Sequence, residues 1–169
     1  YVIDVYRYFL LRDVPFGGDG NFSEESLVKR LNGDLANDLG NLVYRTLTMI
    51  EKTYQGAVPQ MDVYAKTFDA QGQRIKECLR DASAFLQQMD SYLCAAQDFN
   101  FSESLARVWE LINLANKYVE ETKPWNLIKE NKRDEHAYFI RLLVEVIRKA
   151  AALIAPYMPQ TAASILAQM

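Results

Sequence analysis

The sequence contains few of the residues that build metal centres and disulfide frameworks. It has two cysteines, Cys78 and Cys94, and one histidine, His136, among 169 residues. A zinc cluster needs more ligands than these, and a disulfide framework needs more cysteines. A di-metal carboxylate bundle usually needs two Glu-x-x-His motifs. We therefore predict no metal site, and we interpret both cysteines as small core residues in a reducing compartment.

Long apolar runs and an excess of basic residues are also missing. No run approaches the roughly 20 apolar residues of a membrane span, and the first residues lack the order of a signal peptide. The net charge of -3 gives no overall basic surface, so any contact with nucleic acid must be local. The sequence predicts a soluble, cytoplasmic chain with neither a membrane nor DNA as a partner.

Apolar residues, which make up 50% of the chain, recur three and four positions apart, as on the buried face of a helix. This spacing predicts four long helices, over about 23–54, 70–97, 102–123 and 134–155. Ser23 is the predicted N-cap of the first helix, Gly56 ends it, and a last short helix follows Pro159. Short connections between long amphipathic helices favour an all-α fold, an antiparallel helix bundle.

The first residues do not follow this pattern. The stretch "RDVPFGGDGNF" packs one proline and three glycines into a turn-rich segment without helical or strand period, which is typical of a connection. Before it, "YVIDVYRYFLL" carries an apolar stripe that needs a partner. We therefore divide the chain into 1–22, the tail of another region of a longer protein, and 23–169, the bundle.

The helix segment "DLANDLGNLVYR" contains Asn and Asp residues, which are mediocre in helix interiors because their side chains compete for backbone groups. One interpretation is a solvated polar face. The other rests on Asn41 and Arg45, which are four positions apart and therefore stack on one surface. A carboxamide beside a guanidinium fork can hydrogen-bond the edges of bases or a phosphate.

Trp125 follows Pro124 directly, at the predicted end of the third helix. A tryptophan in this position is often a core plug beneath a loop. The alternative is a stacking platform for a base, since the proline stiffens the turn and stacking contributes about 1 to 3 kcal/mol per base. Five basic residues that could hold phosphates surround it, namely Lys117, Lys123, Lys129, Lys132 and Arg133.

Two longer segments, "RYFLLRDVPFGGDGNFSEESLVKRLNGDLANDLGNLVYRTLTMI" and "NKYVEETKPWNL", closely resemble bacterial methionyl-tRNA synthetases, which are class I enzymes. "FGGDGNFS" and "KPW" in this setting are specific to that family. The resemblance covers essentially the whole chain and implies the C-terminal anticodon-binding helix bundle of the class Ia type. Residues 1–22 would then be a short helix and loop left from the catalytic region, after its KMSKS segment.

The resemblance also implies roles for individual residues. Asn41 and Arg45 match helix positions that hydrogen-bond anticodon bases, chiefly the wobble cytosine of the CAU anticodon of methionine tRNA. Trp125 matches the ring on which that cytosine stacks. Three further residues match positions near the same loop without a settled role, namely Asn116, Lys117 and Glu120.

In the family, methionine is activated with ATP and magnesium in an upstream domain that carries the HIGH and KMSKS signatures and often a zinc knuckle. None of these signatures occurs in this sequence. The resemblance therefore implies a fragment without catalytic residues or cofactor, inactive alone and working with the catalytic domain of a parent methionine-tRNA ligase.

Two other classes of function fit the same sequence. A helical protein-interaction module would expose an apolar patch and leave Asn41 and Arg45 as incidental surface residues. A sibling class I synthetase for leucine, isoleucine, valine or cysteine would share the bundle and read a different anticodon.

Overall fold

The computed structural model describes residues 3–14, 17–64, 68–80 and 101–169, and all regular structure within these ranges is helical. Residues 70–80 are helical and are called α4 here. The other elements are, in chain order, α1 (Ile3–Asp13), α2 (Glu24–Arg30), a π-helical segment (Leu31–Gly40), α3 (Asn41–Tyr54), α5 (Phe101–Thr122), α6 (Pro124–Lys129), α7 (Arg133–Ile154) and α8 (Pro159–Leu166). The predicted all-α bundle is confirmed.

The helices predicted at 102–123 and 134–155 are confirmed to within one residue, as α5 and α7. The helix predicted over about 23–54 is continuous, but its middle part, Leu31–Gly40, is a π-helix between α2 and α3. The helix predicted over 70–97 begins at residue 70, and its second half lies outside the described residues. Among the residues that the structure describes, the difference in helix type falls on the polar segment Asp34–Arg45 discussed above.

The ends of the α2 to α3 helix follow local chemistry. The Ser23 side chain accepts a hydrogen bond from the backbone N–H of Ser26 at 3.1 Å, which satisfies one of the unpaired donors of the first turn. At the other end, Gln55 and Gly56 both have positive φ, 55° and 83°. This left-handed ending is the usual way to terminate a helix with glycine, so the predicted start and end are confirmed.

The core centres on α7, which packs against α3, α5, α6 and α8. Most of its apolar side chains are completely buried, and α5 supplies the facing layer with residues such as Leu105 and Ile112. At its N-terminal end, the buried His136 ring lies 2.9 Å through Nδ1 from the Tyr54 hydroxyl, which ties α7 to the last turn of α3. Burial lowers the pKa of His136, which favours the neutral imidazole in this contact.

Helix α1 is docked on the bundle through α5 and α8. The Asp4 carboxylate, which is buried, accepts hydrogen bonds from the backbone N–H and hydroxyl of Thr161 at 2.7 and 2.9 Å. Arg7 donates through Nε to the carbonyl of Tyr157 at 2.8 Å. Hydrogen bonds therefore attach helix α1 to α8 and to the turn before it. The domain boundary predicted at residue 22 stays a prediction.

Replacing Asp4 by alanine is expected to lower the free energy of unfolding by about 1 to 3 kcal/mol, because it leaves the Thr161 donors without their buried acceptor. Urea unfolding followed by helical circular dichroism measures the loss. Asp19→Ala removes the same charge from an exposed position and is expected to change stability by less than about 0.5 kcal/mol. Equal losses for both variants would contradict the fastening role.

None of the described helices is long and apolar enough to cross a bilayer. Within the same part of the chain, no three histidine, cysteine, aspartate or glutamate side chains are grouped to hold a metal ion. Cys78 is half-buried against the core, in line with its interpretation as a small core residue, while Cys94 lies outside the described residues.

Candidate functional site

Two side chains of α5 donate hydrogen bonds to backbone carbonyls of the π-helical segment Leu31–Gly40. Trp109 donates from its indole Nε1 to the backbone carbonyl of Asp34 at 3.3 Å, and Asn116 donates from Nδ2 to the carbonyl of Asp38 at 3.1 Å. A π-helix normally lasts for a single turn and is frequent at functional sites. Tertiary hydrogen bonds therefore accompany an unusually long π segment directly before Asn41.

A charged network holds the beginning of the same segment. The Asp34 carboxylate accepts a hydrogen bond from the Tyr8 hydroxyl at 2.6 Å and another from Arg30 at 3.1 Å, and Arg30 also pairs with Asp13 at 2.7 Å. Burial and the negative charge of Asp34 raise the pKa of Asp38. The network connects α1 with the π segment, so the segment is fixed on two sides.

Asn41 and Arg45 stand on the first turns of α3. Asn41 is exposed and Arg45 is half-buried. Within the described part of the chain, none of the ion pairs involves Arg45, so its guanidinium donors remain available to a ligand. The pair thus presents an amide and a fork of donors one helical turn apart, as the spacing predicted.

Trp125 lies in the short helix α6, and 48% of its surface is exposed. Lys123 precedes this helix in the left-handed conformation, with φ 47°, and the buried Pro124 fills the first helical position, where a proline costs no hydrogen bond. The turn places Trp125 outside the core, so the core-plug interpretation is wrong. Helix α6 packs on α7, which also packs against α3.

The three residues expected near the anticodon loop without a settled role all lie on α5, but their surroundings differ. Asn116 is half-buried, and its side-chain amide donates a hydrogen bond to the Asp38 carbonyl. Lys117 is exposed and pairs with Glu121 at 3.7 Å, and Glu120 is exposed. Asn116 therefore has a structural contact that sequence reasoning did not predict, whereas Lys117 and Glu120 are surface residues.

Two of the five basic residues near Trp125 in sequence form ion pairs. Lys132 pairs with Glu130 at 2.7 Å, and Lys117 pairs with Glu121 at the longer distance of 3.7 Å. Lys123, Lys129 and Arg133 are exposed. The same stretch, 117–135, also contains five acidic residues, namely Glu120, Glu121, Glu130, Asp134 and Glu135, so it carries no net positive charge.

The structure confirms that the first and third predicted helices pack side by side, since α5 contacts both α3 and the π segment. The amide of Asn116 joins α5 to the backbone three residues before Asn41. That Trp125 and the Asn41 and Arg45 pair line one concavity stays a prediction.

Two family models match the chain. The model described as "tRNA synthetases class I (M)" matches residues 1–47, which include Asn41 and Arg45. The model described as "Anticodon binding domain of methionyl tRNA ligase" matches residues 58–169, which include Trp125. The fold and these matches define the anticodon-binding end of a class I aminoacyl-tRNA synthetase.

Individual relatives agree with these matches. The chain is 42% identical over its whole length to the methionine--tRNA ligase of Caldanaerobacter subterraneus and covers 25% of that enzyme. It is 40% identical to the methionine--tRNA ligase of Fusobacterium nucleatum and again covers 25%. The free form of Mycobacterium tuberculosis methionyl-tRNA synthetase has a similar structure, with a TM-score of 0.82 and 37% identity over 96% of this chain and 32% of that one.

The chain therefore belongs to the methionyl-tRNA ligase family. It spans about a quarter of the length of the curated relatives it matches.

Proposed function

We propose that this chain recognises the CAU anticodon loop of methionine tRNA, as the C-terminal region of an enzyme that joins methionine to its tRNA. The observation that carries the proposal is the exposed ring of Trp125 on an anticodon-binding domain. Single-stranded RNA loops are recognised by splaying out bases, stacking them on aromatic side chains and hydrogen-bonding their edges. An exposed tryptophan supplies the first of these interactions.

Asn41 and Arg45 supply the second. The exposed amide of Asn41 both donates and accepts, and the Arg45 guanidinium is outside any ion pair in the described part of the chain. We propose that they hydrogen-bond the wobble cytosine, which stacks on Trp125. In this scheme Lys117 and Glu120 lie near the loop, while Asn116 acts by fixing the backbone ahead of Asn41.

The catalytic part of the parent enzyme is proposed to lie outside this chain. We propose that ATP with magnesium, and zinc where present, are held by the upstream catalytic domain of that enzyme. One of the solved relatives is described in complex with methionyl-adenylate. Ligation of methionine by the parent, with the cytoplasm as its place of action, follows as part of the same proposal.

The exposed stripe on α1 supports a contact with that upstream domain. Ile3 and Leu10 are 61% and 49% exposed, while Tyr8 and Phe9 on the opposite side are buried in the bundle. A helix that is apolar on both sides needs cover on both. The stripe therefore suits the catalytic domain as the intramolecular partner. If RNA binding fails, the same stripe would support the alternative function, a protein-interaction module.

A titration of this chain with two RNA stem-loops tests the proposal. One carries the CAU anticodon loop of methionine tRNA, and the other is identical except for a swapped anticodon of a leucine, isoleucine, valine or cysteine tRNA. The swapped copy is expected to bind about fivefold more weakly or worse, because an unpaired polar group at a base-reading site costs about 1 kcal/mol or more. Equal affinity would refute CAU recognition, and preference for the swapped loop would indicate a sibling synthetase.

A further inference from the structure

Tyr44 exposes 71% of its surface, more than any other large apolar side chain among the described residues. Single apolar residues on a surface are common and need no explanation by themselves. The position of Tyr44 is what distinguishes it, since it directly precedes Arg45 in α3.

The geometry of α3 puts Tyr44 on the same surface as the proposed base-reading pair. Asn41, Tyr44, Arg45 and Thr48 occupy positions i, i+3, i+4 and i+7 of an α-helix. At about 100° per residue, they span an arc of about 100° around the helix axis. The opposite side of α3 is directed to the core through its buried residues, namely Leu42, Val43, Thr46 and Ile50.

An exposed tyrosine ring suits one kind of occupant at this place. Every nucleobase has a flat face that stacks on an aromatic ring, and such stacking tolerates differences in base identity. Tyr44 lies one helical turn from Asn41, and the guanidinium of Arg45 on the same arc also attracts phosphates and base edges. An unpaired RNA base next to those contacts would cover a ring that the protein leaves open to water.

We infer that Tyr44 is a second stacking platform, which takes a base of the anticodon loop different from the base stacked on Trp125. The inference rests on the proposed function and adds a contact to it. Asn41 and Arg45 determine which base is read at the site, and Tyr44 contributes affinity by holding a neighbouring base in its unstacked position.

The test measures the binding of fluorescent CAU stem-loops to the whole chain by anisotropy. Tyr44→Ala is expected to weaken binding by at least about fivefold, which corresponds to the lower end of measured stacking contributions. Tyr44→Phe retains the ring and is expected to keep the wild-type affinity. Tyr64→Ala, which removes another exposed tyrosine in the connection after α3, is the matched control and is expected to bind as the wild type does.

A second series uses stem-loops with one abasic nucleotide at each loop position. One abasic position is expected to make Tyr44→Ala neutral, because the base that stacks on the ring has already been removed. That position is expected to differ from the one that makes Trp125→Ala neutral. If both variants are neutralised by the same position, or by none, the separate platform is overturned.

The outcomes separate this inference from the proposed function. If the wild type binds the CAU loop and Arg45→Ala binds weakly while Tyr44→Ala binds normally, only the inference on Tyr44 is wrong. If Tyr44→Phe loses as much as Tyr44→Ala, the hydroxyl makes the contact and stacking is refuted. If the wild type does not prefer the CAU loop, the proposed function fails and the inference fails with it.

Discussion

Replacing Trp125 by alanine is expected to weaken binding of the CAU stem-loop by at least about tenfold, or roughly 1.4 kcal/mol. The reason is the loss of a stacking surface, which contributes about 1 to 3 kcal/mol per base. The measurement is a titration of the purified chain at fixed salt, since phosphate contacts make nucleic-acid affinities depend on salt. Because the ring is half-exposed, the variant should keep its fold.

Two controls accompany this variant. Trp125→Phe keeps a smaller ring and is expected to lose less affinity than the alanine variant. Leu166→Ala truncates a comparably exposed apolar side chain on α8 and should leave binding unchanged. A loss of the helical circular-dichroism signal in Trp125→Ala would show that the ring serves packing, and unchanged affinity would remove it from the binding site.

Arg45→Ala is expected to weaken binding by a similar factor, about tenfold or more. Here the reason is the loss of directed donors to a base edge or phosphate, and hydrogen bonds to charged groups contribute about 1.5 to 3 kcal/mol. Arg45→Lys keeps the charge without the planar fork and is expected to recover little. Affinity is again measured by titration with the CAU stem-loop.

Arg107 provides a control for charge alone. It is exposed on α5 and paired with Glu103 at 3.2 Å, so Arg107→Ala makes the same change in net charge elsewhere on the bundle. Binding should fall only slightly in this variant, since long-range attraction is screened over about 10 Å at 0.1 M salt. Equal losses for Arg107→Ala and Arg45→Ala would show that general electrostatics, and no specific contact, explain the effect.

The sequence predicted the helices whose apolar stripe is long. Helices α5 and α7 begin and end within one residue of the predicted bounds, because a proline and a change of periodicity mark their ends. The short helix α6 was not predicted. With only the residues Pro124–Lys129, it is too short to show a period, and its conformation depends on the positive φ of Lys123 and on packing against α7.

The π segment was also beyond prediction from the sequence. Its leucines, Leu31, Leu35 and Leu39, recur every fourth residue, a spacing compatible with α-helical and with wider turns alike. The choice between them depends on partners remote in sequence, such as the Trp109 and Asn116 side chains that bond to its carbonyls. Trp109 fits the apolar spacing of α5 like its buried neighbours. The sequence pattern therefore did not predict that its indole N–H makes a hydrogen bond to the π segment.

For the candidate site, the sequence identified residue types and spacing, whereas exposure came from the structure. Both interpretations of Trp125, core plug and platform, were compatible with "KPW". The exposure of its ring excludes the core plug, and the platform stays a prediction. The mutual placement of Trp125 and Asn41 stays a prediction for the binding experiments above.

The wide turns of Leu31–Gly40 determine which way α3 faces relative to α2. Each such turn closes its hydrogen-bonded ring with one residue more than an α-turn does, so the rotation accumulated along ten residues differs from that of an ordinary helix. A graft of the Asn41 and Arg45 surface onto another scaffold would therefore have to include the π segment. It would also have to include the Trp109 indole and the Asn116 amide, which hydrogen-bond to its backbone. Moved onto a regular α-helix of the same length, the two side chains would be aimed in a new direction.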